Sequence, residues 1–370
     1  MTDPKKLNRR DFLKYVAAGM GAMAFAPFFQ STDAEEKIAS AKSDSGNVIL
    51  GFSHIAQTAR VCITNISVYS KPWDESTILY QKYRDDLMNV YYKVKSEYGP
   101  GYNPIWYRVW GGYVHSAHLQ MVETRLNEVD YSMNGIALPG KLGEITVPFT
   151  QAKMLNNKSW TDVYRLYYQS IHWIVGLATG PDGMPWYRIK DELFDYDSLD
   201  YYVPAEHVRL IQDSELTPIS VDVPWEEKRI EISLGMQTLT AYEYDKPVME
   251  TKCSTGIPSK KVEGKIPTST PIGEFNIQNK MPSKHMGDGK ITSDVEAYEL
   301  PGVPWDCFFE PKNGVATHGT YWHNNFGMTM SHGCANLPMD KALWVYRWTT
   351  PRMETPSVQT IGFGTKVVVS

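Results

Sequence analysis

Lys228-Arg229-Ile230-Glu231-Ile232-Ser233-Leu234 alternates polar with apolar side chains, and Thr238-Leu239-Thr240-Ala241-Tyr242 resumes the pattern after Gly235, Met236 and Gln237. A period of two belongs to a strand with one buried face. Two such runs around a glycine read as a hairpin. Further out, Val367-Val368-Val369 follows Gly362 and Gly364 and reads as a closing strand. Residues 339–348 break the alternation: Pro338 suits the first turn of a helix, and Leu343, Trp344 and Trp348 share an apolar face. Residues 227–370 therefore read as a mainly β domain with one late helix. Pro218 to Trp225 carries the prolines of a linker before it.

Upstream lies a weak internal repeat. Trp106-Tyr107-Arg108-Val109 is echoed by Trp186-Tyr187-Arg188-Ile189, and Tyr113-Val114 with His118 by Tyr202-Val203 with His207. The offset grows between the two echoes, which places an insertion in the acidic stretch from Asp191 to Asp200. Both copies read as short strands between Gly, Pro and Asn turns. In the first copy Val61 to Tyr69 reads as an opening strand and Lys71-Pro72-Trp73 as a turn. Tyr113 to Val122 reads as a closing strand. The copies cover 57–125 and, with irregular early strands, 143–215.

The chain has 370 residues, 37 Lys+Arg against 42 Asp+Glu, and 42% hydrophobic residues. That excludes a mostly disordered chain and argues against nucleic acid as a partner, because phosphate binding needs clustered basic residues. Lys5, Lys6, Arg9, Arg10 and Lys14 precede a charge-free run from Tyr15 to Phe29. At about 1.5 Å per residue that run is too short for a ~30 Å hydrocarbon core, so it reads as the apolar region of an export signal. Pro27 after Ala24-Phe25-Ala26 disfavours cleavage, which leaves an anchored form open. The polar stretch after it, 31–56, reads as a linker.

Three of nine histidines and one of four cysteines fall between residues 318 and 334. Cysteine catalysis needs a thiol, a base within reach, an orienter for the base and donors for the developing oxyanion. Cys334 can be the nucleophile and His318 the base. Gly333 allows a tight turn that aims the N–H groups of Gly333 and Cys334 at one oxygen.

These residues resemble the L,D-transpeptidase (YkuD-type) catalytic domain. His318-Gly319-Thr320, Ser331-His332-Gly333-Cys334 and Asn336 fill the family's signature in order, and Thr270-Pro271-Ile272-Gly273-Glu274-Phe275 matches its upstream motif. The resemblance implies a β-sandwich-like catalytic domain over 227–370 in which a backbone carbonyl, at Gly319, orients His318. It also implies loop support from Gly333, His332 and Ser331, and substrate contacts from Thr320, Tyr321, Trp322 and Asn336. Tyr321 and Trp322 are equally open to simple packing, His332 to fixing the loop, and His323 to a place on the surface or cleft wall. Lys280 to Asp294 reads as a lid. Ala335 and Asn336 depart from the commonest family residues without removing a catalytic atom.

The repeats resemble bacterial SH3-like β-barrels, which in that family often bind cell-wall peptides and often serve as spacers. Trp106, Tyr107 and Trp186 can be barrel core. Asn8-Arg9-Arg10-Asp11-Phe12-Leu13-Lys14 resembles a twin-arginine export signal within 1–30. Together the resemblances imply an exported, extracytoplasmic, wall-associated or membrane-anchored enzyme, with peptidoglycan stem peptides as donor and acceptor. They imply no cofactor, no metal and no obligate protein partner. An L,D-carboxypeptidase with water as acceptor, a non-catalytic wall-binding protein, a zinc site at His318, His323, His332 and Cys334, and a Cys253–Cys307 disulfide remain open.

Overall fold

The structure, a computed structural model, describes residues 41–42, 48–190, 200–258, 268–287, 299–353, 355 and 357–370, with side-chain surroundings from residue 57 onward. The stretch expected to be an export signal lies outside the described residues. So do most of the acidic insertion and residues 288–294 of the expected lid. Among the described residues no helix is long and apolar enough to cross a membrane.

The two N-terminal sheets share one strand order. In the first, Val48–Val61 pairs with Leu119–Val122 on one side and Leu87–Lys95 on the other. Ile105–Val109, Gly112–His115, Asn65–Tyr69 and Ile78–Tyr83 follow in turn. In the second, Lys141–Ile145 lies between Val208–Leu210 and Ile171–Thr179. Pro185–Lys190, Asp200–Pro204, Phe149–Asn156 and Ser159–Tyr167 complete the same order. Trp106 and Trp186 occupy corresponding strands and both are buried, as core.

Among the described residues neither sheet closes into a barrel: the outermost strands of each do not pair with one another. The last strands have only four and three residues and spend their bonds on Val48–Val61 and Lys141–Ile145. Two strands expected as continuous are broken. The opening strand turns at Cys62–Thr64, where Cys62 N–H donates to His118 O and Asp85 N–H to Val61 O. The closing strand is interrupted by the 3-10 turn Ser116–His118, whose start is capped by the His115 ring. Val48–Val61 also begins inside the stretch expected as linker.

The C-terminal domain pairs two five-stranded sheets. Lys228–Ser233 and Thr238–Glu243 form the expected hairpin, and Lys366–Val369 closes beside the first strand in parallel. The second sheet runs Ala335–Leu337, Val315–Gly319, Glu299–Glu310, Asn279–Gly287 and Thr360–Ile361. Ile230, Ile232, Leu239 and Val367 from one sheet join Phe309, Ala316 and Leu337 from the other in one core. Leu142, Ile171, Trp173 and Ile211 of the second N-terminal sheet belong to the same core. The hydrophobic contact that holds the catalytic sheets together thus extends into that module.

The helix is Met339–Trp348, with Pro338 at its N-cap. Its buried side chains are Ala342, Val345, Tyr346 and Trp348, whereas Leu343 and Trp344 are half-buried. Two buried lysines satisfy its last carbonyls, which lack partners within a helix. Lys228 Nζ donates to Trp348 O at 3.1 Å, and Lys280 Nζ to Thr349 O at 2.9 Å. Burial brings the Lys280 ammonium down to about 8. Lys280 therefore lies in a sheet strand beneath the helix, and the described part of the expected lid, residues 280–287, belongs to that strand. The linker is pinned as well: Lys228 Nζ donates to Ser220 O, and Arg347 Nε to Thr217 O.

Candidate active site

Strands Val315–Gly319 and Ala335–Leu337 run parallel with Thr317 opposite Ala335, His318 opposite Asn336 and Gly319 opposite Leu337. Side chains alternate across a strand, so His318 and Asn336 share a face. Cys334 lies in the bend that leads directly into Ala335–Leu337, two residues before Asn336. The pairing thus brings the bend that carries Cys334 up to the strand that carries His318. The thiol is not hydrogen-bonded to the imidazole: Cys334 Sγ donates to Gly314 O at 3.5 Å. One rotamer step about χ1 separates such a resting thiol from a different aim, and catalytic hydrogen bonds commonly tighten only when substrate is bound.

His318 is buried, and its Nδ1–H donates to Gly319 O at 3.0 Å. That bond fixes the tautomer and leaves Nε2 with its lone pair. A Cβ on Gly319 would meet Met339 Sδ and Pro304 Cγ at 2.9 Å, so the carbonyl that orients the ring sits on a residue that must lack a side chain. Burial lowers the His318 pKa to about 4, against the pull of the Gly319 carbonyl. Burial also pushes the Cys334 thiol up to about 12, with the Ala316 N–H pulling the other way and Asp306 adding to the rise. The resting pair is a neutral thiol and a neutral imidazole.

The turn carrying the cysteine is held from three sides. Gly333 has φ +123°, a conformation other residues rarely adopt. Its carbonyl accepts from Thr270 Oγ1 at 2.7 Å, and the same hydroxyl accepts from Gly256 N–H at 2.8 Å. Ser331 Oγ accepts the Gly333 N–H at 3.2 Å and donates to Cys334 O. The Gly333 N–H, expected at the oxyanion, is thus already engaged, and the Cys334 N–H remains. His332 is exposed. Thr270 was visible in the upstream motif, but its clamp on the cysteine turn spans 63 positions, and no local pattern predicts it.

In the loop after His318, Tyr321 is 1% exposed and its hydroxyl donates to Pro301 O at 2.9 Å, so of its two open readings simple packing fits the side chain. His323 is buried instead of lying on the surface. Its Nδ1 accepts from Asn325 N–H at 3.2 Å, and Asn336 Nδ2 lies 2.9 Å from its Nε2. Burial, then His118 and His318 nearby, lower the His323 pKa to about 3. Asn336 is thereby a held residue beside His318, itself 1% exposed. Thr320 is buried with its N–H on Leu337 O, and Trp322 is half-buried with its ring 5.7 Å from that of His318.

Asp306 was not singled out in the sequence, where it is one acid inside an apolar run. It is fully buried, neither carboxyl oxygen has a hydrogen-bond partner, and burial raises its pKa well above the carboxylate range. It stands one step past the Cys307–Thr317 pair, across from His318. All four cysteines are free. Among the described residues no group of three or more His, Cys, Asp or Glu could hold a metal ion.

Residues 227–369 match the family model of the L,D-transpeptidase catalytic domain, YkuD. That segment is an L,D-transpeptidase catalytic domain. Comparison with curated proteins gives no match. Similar solved structures include a crystal structure of a mutant Enterococcus faecium L,D-transpeptidase, at 23% identity and TM-score 0.29, over 39% of this chain and 50% of that one. The catalytic domain of the Enterococcus faecium L,D-transpeptidase is similar at 25% identity and TM-score 0.28, over 39% of this chain and 98% of that one. An L,D-transpeptidase from Mycobacterium smegmatis is similar at 18% identity and TM-score 0.30, over 50% of this chain and 90% of that one. The chain spans half the length of the first of these.

Proposed function

We propose that the protein is an exported peptidoglycan L,D-transpeptidase with Cys334 as nucleophile. The observation that carries the reading is the parallel pairing that brings the bend carrying Cys334 up to the strand carrying His318, with the His318 ring held by Gly319 O. The family match of residues 227–369 supports the reaction class.

In this reading Cys334 Sγ bonds to the carbonyl carbon between the third residue of a donor stem, a diamino acid, and the following D-Ala, while its proton passes to His318 Nε2. The Cys334 N–H stabilises the oxyanion. The C–N bond then breaks, D-Ala leaves with the proton from His318, and a thioester remains. An acceptor amine attacks the thioester carbon, gives its proton to His318, and the sulfur departs and takes that proton back. The product is a cross-link between the third residues of two stems, or an exchanged terminus. A thioester suits the purpose because an amine attacks it faster than water does where water is partly excluded.

Export by the twin-arginine route and the SH3-like character of the N-terminal sheets belong to the same proposal. They rest on the Arg9-Arg10 motif and on the repeated aromatic strands. Exposure to a carbapenem tests the chemistry by intact mass. A single covalent adduct on Cys334 is the expected result, lost in Cys334→Ala. An unmodified protein, or an adduct on Cys62, Cys253 or Cys307, contradicts it.

A further inference from the structure

The family match begins at residue 227, yet the loop after His318 is held by both N-terminal sheets. Asn324 N–H donates to Ala117 O at 2.8 Å, and Arg60 Nη2 to Tyr321 O at 3.3 Å. The Tyr167 ring of the second sheet lies 6.0 Å from that of Tyr321. Where the three parts meet they leave a cleft of about 280 Å³, close to the lower end of the range of small-molecule sites.

Its walls are Arg84 from the first sheet, Tyr164, Arg165 and Tyr167 from the second, and Glu299 and Trp322 from the catalytic domain. Arg60 lies beneath, its guanidinium 4.0 Å from the centre of the Tyr167 ring. The side chain of Asp85 is the one carboxylate shared by Arg60, at 3.0 Å, and Arg165, at 2.7 Å. Glu299 is engaged by His285. Arg84 is exposed and, among the described residues, makes no ion pair. Three guanidiniums therefore face two carboxylates, both already in ion pairs, which leaves the cleft attractive to an anion between aromatic walls.

One wall, Trp322, is also the neighbour of the His318 ring, whereas Cys334 Sγ turns toward Gly314 O. The group that approaches from the imidazole side of a thioester is the amine that must surrender its proton to that imidazole. We propose that this cleft is the acceptor subsite: Arg84 and Arg165 hold a carboxylate of the incoming stem peptide while its amine reaches His318. The inference rests on the transpeptidase reading and extends it to residues that no part of the catalytic domain supplies.

Two measurements on the full chain test it. Binding of a disaccharide tetrapeptide is followed by Trp fluorescence on Cys334→Ala, so that no chemistry intervenes, and compared with Cys334→Ala carrying Arg84→Glu. About a tenfold weaker binding is expected in the second variant. In the active protein, Arg84→Glu is expected to raise the acceptor KM about tenfold while leaving the rate of carbapenem acylation unchanged, and Arg84→Lys to restore part of the loss. Equal binding and equal acceptor KM overturn the cleft. Slowed acylation with unchanged acceptor KM overturns the acceptor assignment in favour of the donor. A wild-type protein that is never acylated removes the transpeptidase reading itself, and the acceptor subsite with it.

Discussion

Replacing His318 by glutamine is expected to slow acylation of Cys334 by about 10²- to 10⁴-fold at neutral pH, the usual worth of a positioned base. The magnitude follows from the thiol. With its pKa at about 12, the thiolate at pH 7 amounts to only about one part in 10⁵, so almost no reaction proceeds without a group to take the proton as the bond forms. His318, at about 4, is neutral and ready at every pH well above that value. The sign follows directly: wild-type acylation is lost as pH falls through about 4, where the imidazole charges, and is nearly flat through neutrality. In the glutamine variant the rate instead climbs about tenfold per pH unit toward the thiol pKa. Acylation rates by mass spectrometry between pH 3 and 10 check both limbs. Equal rates, or equal slopes in the two proteins, contradict the role of His318.

Arg60→Met is expected to cost about 3 kcal/mol of stability, in the range for breaking a buried charge pair. Arg60 is 2% exposed and donates to Gln120 Oε1 at 2.8 Å, to Asp85 and to Tyr321 O. Removing it leaves Asp85, whose side chain is 8% exposed, with Arg165 and a long hydrogen bond from Tyr167 Oη, and takes the guanidinium donor away from the carbonyl of Tyr321. The loss reaches the active site, because Tyr321 precedes Trp322 and His323, which contact His318 and Asn336. Urea unfolding of Arg60→Met measures it, with Arg84→Met, an exposed neighbour, as the comparison. A cost below about 0.5 kcal/mol, the level of ordinary surface changes, contradicts the account.

Local patterning carried much of the fold. The alternation at 228–234 became the hairpin because a strand with one face in a core must alternate, and Pro338 starts the helix because it needs no N–H there. The Trp-Tyr echoes became two sheets of one strand order. What local patterning could not carry lies in long-range contact. Lys280 sits in a stretch rich in Gly, Lys and Asp that reads as a loop, yet it is buried because helix carbonyls await its ammonium. His323 looks like a surface residue until Asn325 and Asn336 enclose it. Asp85, with φ +69°, ties two sheets whose sequences say nothing of each other. At the site, the residue types of His318, Gly319, Ser331, Gly333 and Cys334 were legible from the motif. The Thr270 clamp and the orphan Asp306 depend on partners brought from elsewhere in the chain.

In the proposed reaction one sulfur, served by one imidazole, joins two peptides. Incubation of the purified protein with tetrapeptide muropeptides, followed by chromatography and mass spectrometry of the products, tests it most directly. Dimers linked through their third residues, with release of D-Ala and complete loss of both in Cys334→Ala, are the predicted result. Tripeptide without any dimer or exchanged terminus, or dimer formed equally well by Cys334→Ala, contradicts it.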